Sequence, residues 1–451
     1  MRSRKNSVGV VVSAILASTL FLVGAEALAQ TETVLHSFAS GPKDGYSASG
    51  LIMDSAGNLY GTTRYGDEKE VNGIAFELSP SAGGTWTETA LHIFTGGTDG
   101  LEPVASLVLD AKGNLYGTTL QGGGGPCKNS QNGPLIGCGT VFELSPGAGG
   151  VWTEKILYAF GFKADDSFWP YSNLVLDAAG NLYGTTSLGG TVDGEDYCVM
   201  YGNTSVGCGT AFELRPNKNG TWSEEIIHNF GGAIDGGADG AIPDAGLVFD
   251  SAGNLYGTTR LGGMEGCGGF GRLPYCGVLF ELTPVASKGW REGILPSPGF
   301  WYQTGLAVDS AGNVFGSGWD GFGSCGYDYG VGTGGAFEIS PAGGGTWTES
   351  GIGDFGCGST PSPLIFDSKG NVYGTTDATN NDGGENYPDT IYEASRGSSG
   401  DWQVTILYQF TAATDGLGPT GGLVRDAAGN LYGTTQGGGT HNKGVVFKLT
   451  P

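Results

Sequence analysis

A ten-residue motif occurs seven times along the chain and constrains its fold more than any other feature. The second copy reads DAKGNLYGTT, and successive copies begin 56 to 73 residues apart. The copies begin at Asp54, Asp110, Asp177, Asp250, Asp309, Asp367 and Asp426. Such spacing indicates a tandem array of one supersecondary unit rather than several unrelated domains. We therefore predict a single domain over residues 30–451.

Each repeat contains four short segments with the composition of β-strands. In the second repeat these segments are 107–110, 115–119, 141–145 and 152–160, separated by Gly, Pro, Asn and Asp. Short alternating runs of this kind are typical of strands bounded by turns. In the first turn, the aspartate is expected to accept backbone N–H groups and the glycine to supply a positive φ. A calcium loop is a weaker interpretation, because only one aspartate recurs.

The two ends of the chain hold complementary fragments of a repeat. Residues 31–38, TETVLHSF, match a fourth segment, whereas the last repeat stops after its third segment at 445–450. Four-stranded units of this size bury both faces when they pack around an axis. We predict an all-β fold, a seven-bladed β-propeller with four antiparallel strands per blade, whose last blade is closed by strand 31–38. A β-solenoid is the alternative, but it gives no reason for complementary ends.

Residues 1–29 have the composition of a signal peptide. Three basic residues precede an apolar run from Val8 to Val23, and Ala27-Leu28-Ala29 is typical of a cleavage site. The run is short for a lasting membrane anchor, and no second apolar segment follows it. We expect a secreted, periplasmic or cell-surface protein with no membrane insertion after cleavage.

The chain is strongly acidic, with 45 Asp and Glu against 21 Lys and Arg and a formal net charge of -24. Nucleic acids and anionic membrane surfaces repel such a protein, so neither is an expected partner. A solvated surface that keeps an exported protein soluble explains the charge.

All eight cysteines follow residue 120, and six of them form close pairs in the sequence. The pairs are Cys127 with Cys138, Cys198 with Cys208, and Cys267 with Cys276, which leaves Cys325 and Cys357 as a further candidate pair. In an exported chain such pairs predict disulfides. Zinc is the rival interpretation, but no CxxC spacing occurs and no histidine lies near a pair. We expect no metal and no cofactor.

Tryptophan and histidine recur at fixed places in the fourth segment. Six tryptophans begin this segment, which favours packing over a binding stripe: Trp86, Trp152, Trp222, Trp290, Trp347 and Trp402. Three histidines, His36, His92 and His228, share one later position in separate repeats, so they are not expected to form one metal site.

The long insertions all fall on one predicted face of the propeller, between the second and third strands or between repeats. Loops that vary on a constant scaffold usually bind ligands. Aromatic residues beside carboxylates on this face suit a glycan or peptide ligand. The candidate binding residues are Trp169, Tyr171, Trp301, Tyr302, Trp319, Asp320, Tyr327 and Asp328. Burial of these rings between loops explains them equally well.

Two other functions stay open. A carbohydrate-active enzyme, a glycoside hydrolase or polysaccharide lyase, needs paired carboxylates at the channel mouth, and Asp166, Asp320 and Asp328 are candidates by position alone. A structural envelope protein needs no site at all. We expect binding rather than catalysis, because the chain has so many acidic residues that no particular pair stands out. Neither a nucleophile elbow nor a phosphate-binding loop is present.

The repeat resembles that of the bacterial tandem-repeat family GloVer, named for Gloeobacter and Verrucomicrobia. The resemblance rests on the strings DxxGNLYGTT and GTVFELSP, followed by strands similar to GGTWTET. The resemblance covers residues 31–451. It implies an exported protein, and it brings no established activity or catalytic residues. The resemblance also implies one of several C-terminal anchors, but we expect none here, since only the strand-like VVFKLTP is seen at this end.

Overall fold

The computed structural model shows a ring of β-sheets around a central channel. It describes residues 30–39, 41, 43–66, 72–128, 134–163, 166–191, 198–199, 205–231, 239–263, 269–270, 273–274, 277–286, 289–296, 300–301, 304–320, 333–357, 360–377, 388–411, 414–419 and 421–451. The predicted signal peptide, 1–29, lies outside these residues. Within them, no helix has both the length and the apolar character needed to cross a bilayer.

Seven antiparallel sheets form the blades, and the first strand of the chain completes the last blade. Thr31–Ser37 pairs with Val445–Thr450, from Thr31 opposite Thr450 to Ser37 opposite Val445. This pairing confirms the predicted closure and the seven-bladed propeller, so the solenoid alternative is wrong. The N-terminal strand thus supplies the fourth strand of blade 7, which would otherwise have three.

The blades are numbered here in chain order from the first complete repeat. Blade 1 comprises Tyr46–Ala48, Ile52–Met53, Leu59–Tyr65, Ile74–Pro80 and Trp86–Ile93. Blade 2 comprises Val108–Leu109, Leu115–Thr119, Thr140–Pro146 and Trp152–Ala159. Blade 3 comprises Val175–Leu176, Leu182–Thr186, Thr210–Pro216 and Trp222–Asn229. Blade 4 comprises Val248–Phe249, Leu255–Thr258, Leu279–Val285 and Gly289–Leu295.

The remaining blades follow the same order. Blade 5 comprises Phe300–Trp301, Ala307–Val308, Val314–Asp320, Thr333–Gly343 and Thr346–Cys357. Blade 6 comprises Thr360–Pro361, Ile365–Phe366, Val372–Asp377, Thr390–Arg396 and Trp402–Gln409. Blade 7 comprises Leu423–Arg425, Leu431–Thr434, Val445–Thr450 and Thr31–Ser37. Blades 1, 5 and 6 thus begin with an additional, very short strand, which pairs with Leu59–Tyr65, Val314–Asp320 and Val372–Asp377 respectively.

Short elements decorate the loops between these strands. Three two-stranded ribbons pair Ser167–Phe168 with Leu188–Gly189, Cys198–Val199 with Ser205–Val206, and Gly269–Phe270 with Leu273–Pro274. One turn of 3-10 helix, Ala148–Gly150, lies between the third and fourth strands of blade 2.

The recurring aspartate organises the turn between the first and second strands. In blade 1, Oδ1 of Asp54 accepts the N–H groups of Ala56 and Asn58, each at 2.9 Å. Its Oδ2 accepts the Asn58 amide at 2.9 Å and the Tyr60 hydroxyl at 3.1 Å, while Gly57 has φ 86°. Burial alone would raise the pKa of Asp54, but these hydrogen bonds hold it below its usual value. Both carboxylate oxygens therefore serve the turn, as predicted.

The glycine of the YGTT sequence lies against an aromatic ring of the third strand. A Cβ added at Gly117 would lie 2.6 Å from Cζ of Phe142, a ring that is completely buried. The same arrangement recurs at Gly61 and Gly433. Because any side chain would displace the ring, this position requires glycine.

Tryptophan packing and apolar clusters join each blade to the next. Trp152 of blade 2 meets Tyr60 of blade 1 with ring centroids 6.2 Å apart, and Trp86 of blade 1 meets Tyr432 of blade 7 at the same distance. Seven buried clusters each combine residues of two adjacent blades. The core therefore lies between blades, and the predicted packing role of the repeated tryptophans is confirmed.

Candidate functional site

The central channel opens at the loop-rich face into a cavity of about 310 Å³. Its wall is formed by the segments that immediately precede the innermost strands, and all seven blades contribute to it. Polar side chains dominate the described lining: Ser47, Ser49, Ser106, Ser172, Asn173, Thr304 and Gln436. Further along the channel, a second cavity of about 360 Å³ is lined largely by aliphatic residues of the inner strands. A ligand at the mouth would therefore meet hydroxyl and amide groups first.

A ring of hydrogen bonds holds the mouth in shape. In most blades, a hydroxyl in the second strand donates to a backbone carbonyl at the start of the next blade. These bonds join Thr62 to Ala105 at 3.1 Å, Thr118 to Ser172 at 3.2 Å, Thr185 to Ala245 at 3.1 Å, Ser317 to Ser362 at 2.8 Å, Thr375 to Pro419, and Thr434 to Ser49 at 2.8 Å. The last bond links blade 7 to blade 1, so the repeated threonine fixes neighbouring inner strands relative to each other.

The backbone is strained where three blades begin. Glu102, Trp169 and Ile242 have φ values of 56°, 61° and 60°, and each precedes a proline. A non-glycine residue in this left-handed region persists only when its surroundings hold it there. Here the N–H of Trp169 donates to the Cys138 carbonyl at 2.9 Å, while its own carbonyl accepts the N–H of Ser187 at 3.0 Å. The strained residue is thus held by the preceding blade and by its own.

Two residues after each strained position, a side chain lines the mouth. These residues are Val104, Tyr171 and Asp244. The Tyr171 side chain is 40% exposed, so its ring is available to a ligand. Since the three residues are chemically different at equivalent positions, packing does not dictate their identity.

One cation and one carboxylate belong to the described lining, and each has its own partner. The Arg64 guanidinium lies 2.7 Å from Oε2 of Glu102, whose other oxygen accepts the amide of Gln121 at 3.2 Å. Asp244 lies 3.1 Å from Arg260 and also accepts the Ser187 hydroxyl. Burial raises the pKa of the Asp244 carboxyl, although Arg260 opposes this. The mouth is therefore polar and close to electrically balanced.

The aromatic candidates do not all reach the mouth. Trp169 is partly buried and packs against the apolar cluster between blades 3 and 4, with its ring centroid 5.8 Å from that of Phe168. The backbone of Trp301 pairs with that of Trp319, and the backbone of Phe300 with that of Asp320, in blade 5, and the structure does not describe the side chains of these four residues. Tyr302, Tyr327 and Asp328 lie outside the described residues.

Asp166, a candidate carboxylate, instead organises a loop. It is 6% exposed, and its Oδ2 accepts the N–H groups of Gly161 and Phe162 at 2.8 Å each. Its Oδ1 accepts the Tyr158 hydroxyl at 3.0 Å. Both oxygens are therefore occupied, and the side chain holds the loop between blades 2 and 3.

One predicted disulfide is present and a second is shown in part. Cys127 and Cys138 are bonded, with their Cα atoms 5.0 Å apart. Cys208 is also disulfide-bonded. Its expected partner Cys198 lies in a strand whose side chains are not described, and the pairings of Cys267 with Cys276 and of Cys325 with Cys357 stay predictions. Because the Cys138 carbonyl binds Trp169, the first disulfide anchors the entry to blade 3.

The sequence interpretation missed the sets of polar residues at the outer edge of the propeller. Each set has three members. A glutamate, usually two residues after the repeated tryptophan, lies near the histidine or tyrosine on the fourth strand of the preceding blade. The third member is an aspartate from the loop that connects the two blades. In the set between blades 3 and 4, His228 Nε2 lies 2.9 Å from Asp239 and 3.5 Å from Glu292. Burial, with a hydrogen bond to Asp239, raises the pKa of Glu292 to about 9. The recurrence of a glutamate two residues after the repeated tryptophan is the sequence feature that could have predicted these sets.

A buried pair of carboxylates in blade 6 was also missed. Asp377 ends the second strand and Asp389 precedes the third, and they are 4% and 6% exposed. Burial, together with the charge of Asp389, raises the pKa of Asp377 to about 7. Since both groups are buried, they do not form the solvent-facing pair that a glycosidase requires.

The fold and the mouth define a class of protein, a closed seven-bladed propeller of tandem repeats with an open polar cavity at one end of its channel. The model of the Gloeobacter/Verrucomicrobia repeat family matches residues 18–194, which confirms the resemblance over that part of the chain. No curated protein matches the sequence.

The solved structures that resemble this one include two with low sequence identity. A protein from Lactobacillus plantarum is 13% identical, with a TM-score of 0.47, and the match covers 90% of this chain and 98% of that one. A gluconolactonase from Xanthomonas campestris is 13% identical, with a TM-score of 0.40 and coverage of 77% and 86%.

Proposed function

We propose that the protein is an exported binding protein that recognises a neutral glycan at the loop-rich mouth of its channel. The observation that carries this proposal is the cavity of about 310 Å³, which all seven blades line and to which every blade except blade 6 contributes polar side chains around the exposed ring of Tyr171. Its volume lies at the lower end of the range of small-molecule sites.

The chemistry of the lining favours a sugar. Serine, threonine and asparagine side chains supply hydrogen-bond donors and acceptors that match ring hydroxyls. An exposed tyrosine ring gives a sugar an apolar face to stack on. The net charge of -24 disfavours a polyanionic ligand, and Arg64 is already paired with Glu102.

The frame around the cavity supports binding with little rearrangement. The hydroxyl-to-carbonyl bonds and the strained residues fix the mouth before a ligand arrives, which lowers the entropy lost on association. Export is supported by the Cys127–Cys138 disulfide, since such bonds persist in oxidising compartments.

A glycan array followed by calorimetry with the purified chain tests the proposal. Tyr171→Ala is expected to weaken binding of an array hit by about 10-fold or more, since burying an aromatic side chain contributes about 1.5–3 kcal/mol. Phe162→Ala is the matched control, because Phe162 is another exposed aromatic, 64% accessible, that does not line the mouth. The control should bind as the unchanged protein does.

Three outcomes contradict the proposal. Equal glycan affinity in Tyr171→Ala and in the unchanged chain would show that the channel mouth is not the binding site. If the protein binds members of a peptide library and no glycan, the ligand is a peptide and not a sugar. Release of reducing ends or unsaturated products from the bound glycan makes the protein an enzyme.

A further inference from the structure

Five interfaces between neighbouring blades carry a related set of three polar residues near the outer edge. The first residue is His or Tyr on the fourth strand, the second is an Asp in the loop that follows, and the third is a Glu on the fourth strand of the next blade. The sets are His36, Asp44 and Glu88; His92, Asp99 and Glu154; Tyr158, Asp166 and Glu224; His228, Asp239 and Glu292; and Tyr408, Asp415 and Glu32.

The set between blades 3 and 4 is the most compact. His228 Nε2 and one carboxylate oxygen each from Asp239 and Glu292 all lie within 4.8 Å of one another. Among the residues that the structure describes, no other group of three such ligand atoms is as close. Metal bonds of 2.0–2.2 Å in a tetrahedral site place ligand atoms about 3.4 Å apart. The separation of 3.5 Å between His228 and Glu292 is close to this spacing, and the hydrogen-bonded distance of 2.9 Å between His228 and Asp239 would have to lengthen by about 0.5 Å.

We propose that His228, Asp239 and Glu292 bind a divalent transition-metal ion of the Zn²⁺ type. An imidazole with two carboxylates is a donor set that zinc accepts, and three protein ligands leave a fourth position for water. Oε1 of Glu292 is buried and accepts no hydrogen bond, so its lone pairs are free to coordinate once the carboxyl releases its proton. Asp239 is held by the N–H of Gly231 at 2.8 Å, which orients its carboxylate.

The corresponding set between blades 2 and 3 shows how the same position is satisfied without a metal. There Tyr158 replaces the histidine and donates to Glu224 at 2.9 Å, and the Lys163 ammonium lies 2.8 Å from the same carboxylate. A built-in cation thus neutralises Glu224. The two carboxyl groups beside His228 have no lysine or arginine partner among the described residues, so an external cation would take the place of the proton that this pair retains.

Binding would join two blades and order the wall of the channel mouth. His228 belongs to blade 3 and Glu292 to blade 4, while Asp239 lies in the segment that continues to Asp244 at the mouth. The histidine would exchange its Nε2–H bond to Asp239 for a metal bond and carry its proton on Nδ1. The three side chains are 17% to 27% exposed, so an ion can reach them. This inference does not depend on the glycan proposal.

Titration of the untagged, chelator-treated chain with Zn²⁺ tests the site. We expect one ion per chain from this site and a raised thermal midpoint. His228→Tyr should weaken binding at least 10-fold, and it should fold because Tyr158 occupies the same repeat position. His92→Tyr is the matched control, since His92 is equivalent but lies 3.6 Å from Asp99 in a looser set. It should bind Zn²⁺ as the unchanged protein does.

Two further measurements locate the ion. Co²⁺ in place of Zn²⁺ should give visible absorption typical of tetrahedral coordination in the unchanged chain and lose it in Glu292→Gln. A zinc-edge anomalous map should place the ion between His228, Asp239 and Glu292. No uptake of Zn²⁺, equal uptake by His228→Tyr, or an anomalous peak at His441 instead would overturn the proposal.

Discussion

Half-buried glutamates between the blades should make the propeller more stable in mild acid than above neutrality. Glu154 lies between blades 1 and 2, and one of its oxygens is buried without a hydrogen-bond partner. Burial, with the charge of Asp99 as the lesser cause, raises its pKa from 4.5 to about 7. Glu32 and Glu88 occupy the same repeat position, and burial raises the pKa of each to about 7 as well.

The direction of the pH effect follows from proton binding. Below pH 4.5 the carboxyl is protonated in both folded and unfolded chains, so its stabilising contribution is fully present. As the pH rises from 4.5 to about 7, the unfolded chain loses the proton while the folded chain keeps it. Stability therefore falls through this window and levels off above it. A pKa difference of this size corresponds to about 3.4 kcal/mol, which partial exposure to solvent reduces to roughly 1–2 kcal/mol per carboxyl.

Glu154→Gln isolates this effect, because the amide keeps the shape of the side chain and cannot ionise. We expect the variant to be about 1–2 kcal/mol more stable than the unchanged chain at pH 8 and nearly equal to it at pH 5. Urea unfolding followed by tryptophan fluorescence at both pH values measures the difference.

Glu224→Gln is the matched control with the opposite expected sign. Glu224 shares the repeat position, but it already binds Tyr158 and Lys163 at 2.9 and 2.8 Å. Removing its charge should cost about 1–3 kcal/mol at pH 8. A Glu154→Gln variant that is less stable at pH 8, or equally shifted at both pH values, refutes the reasoning.

Three further perturbations probe the frame of the propeller by urea unfolding. Gly117→Ala should destabilise it by about 1–3 kcal/mol, because the new Cβ would lie 2.6 Å from the Phe142 ring; an unchanged midpoint would show that the ring moves freely. Thr434→Val removes the hydroxyl bond that joins blade 7 to blade 1 and should cost about 1–2 kcal/mol, whereas no loss would mean that the bond is dispensable for closure. Reducing the Cys127–Cys138 bond, which closes a separation of 11 residues, should cost about 2–3 kcal/mol, and equal stability in reductant would contradict its role as an anchor.

The architecture could be predicted from the sequence because its causes are local or repeated. The Asp54 turn is made by residues within six positions of each other, and the matching fragments at 31–38 and 445–450 allow one arrangement of a closed ring. The Trp86 position recurs often enough to mark packing rather than recognition. Local chemistry and repetition therefore sufficed for blade number, closure and the role of the tryptophans.

The site could be predicted only in part because it depends on contacts between distant segments. Tyr171 does line the mouth, but nothing in the sequence distinguishes it from Trp169, whose ring packs between blades. Arg64 and Asp244 reach the same cavity from blades 1 and 4, which are far apart in the chain. The distance between these two residues depends on the diameter of the ring of blades, which cannot be deduced from the sequence of one repeat.

Differences between repeats identify function better than similarities do in this molecule. Positions that are identical in nearly every blade, such as Gly117 and Thr118, are explained by a ring contact and an inter-blade hydrogen bond. At the channel mouth the equivalent residues are instead Val104, Tyr171 and Asp244, although their backbone setting is shared. Of these three residues, Asp244 is held inside the fold by Arg260 and Ser187, whereas the Tyr171 side chain is 40% exposed. The Tyr171 ring can therefore contact a ligand without disturbing the packing, and this is the physical basis for placing recognition at the mouth.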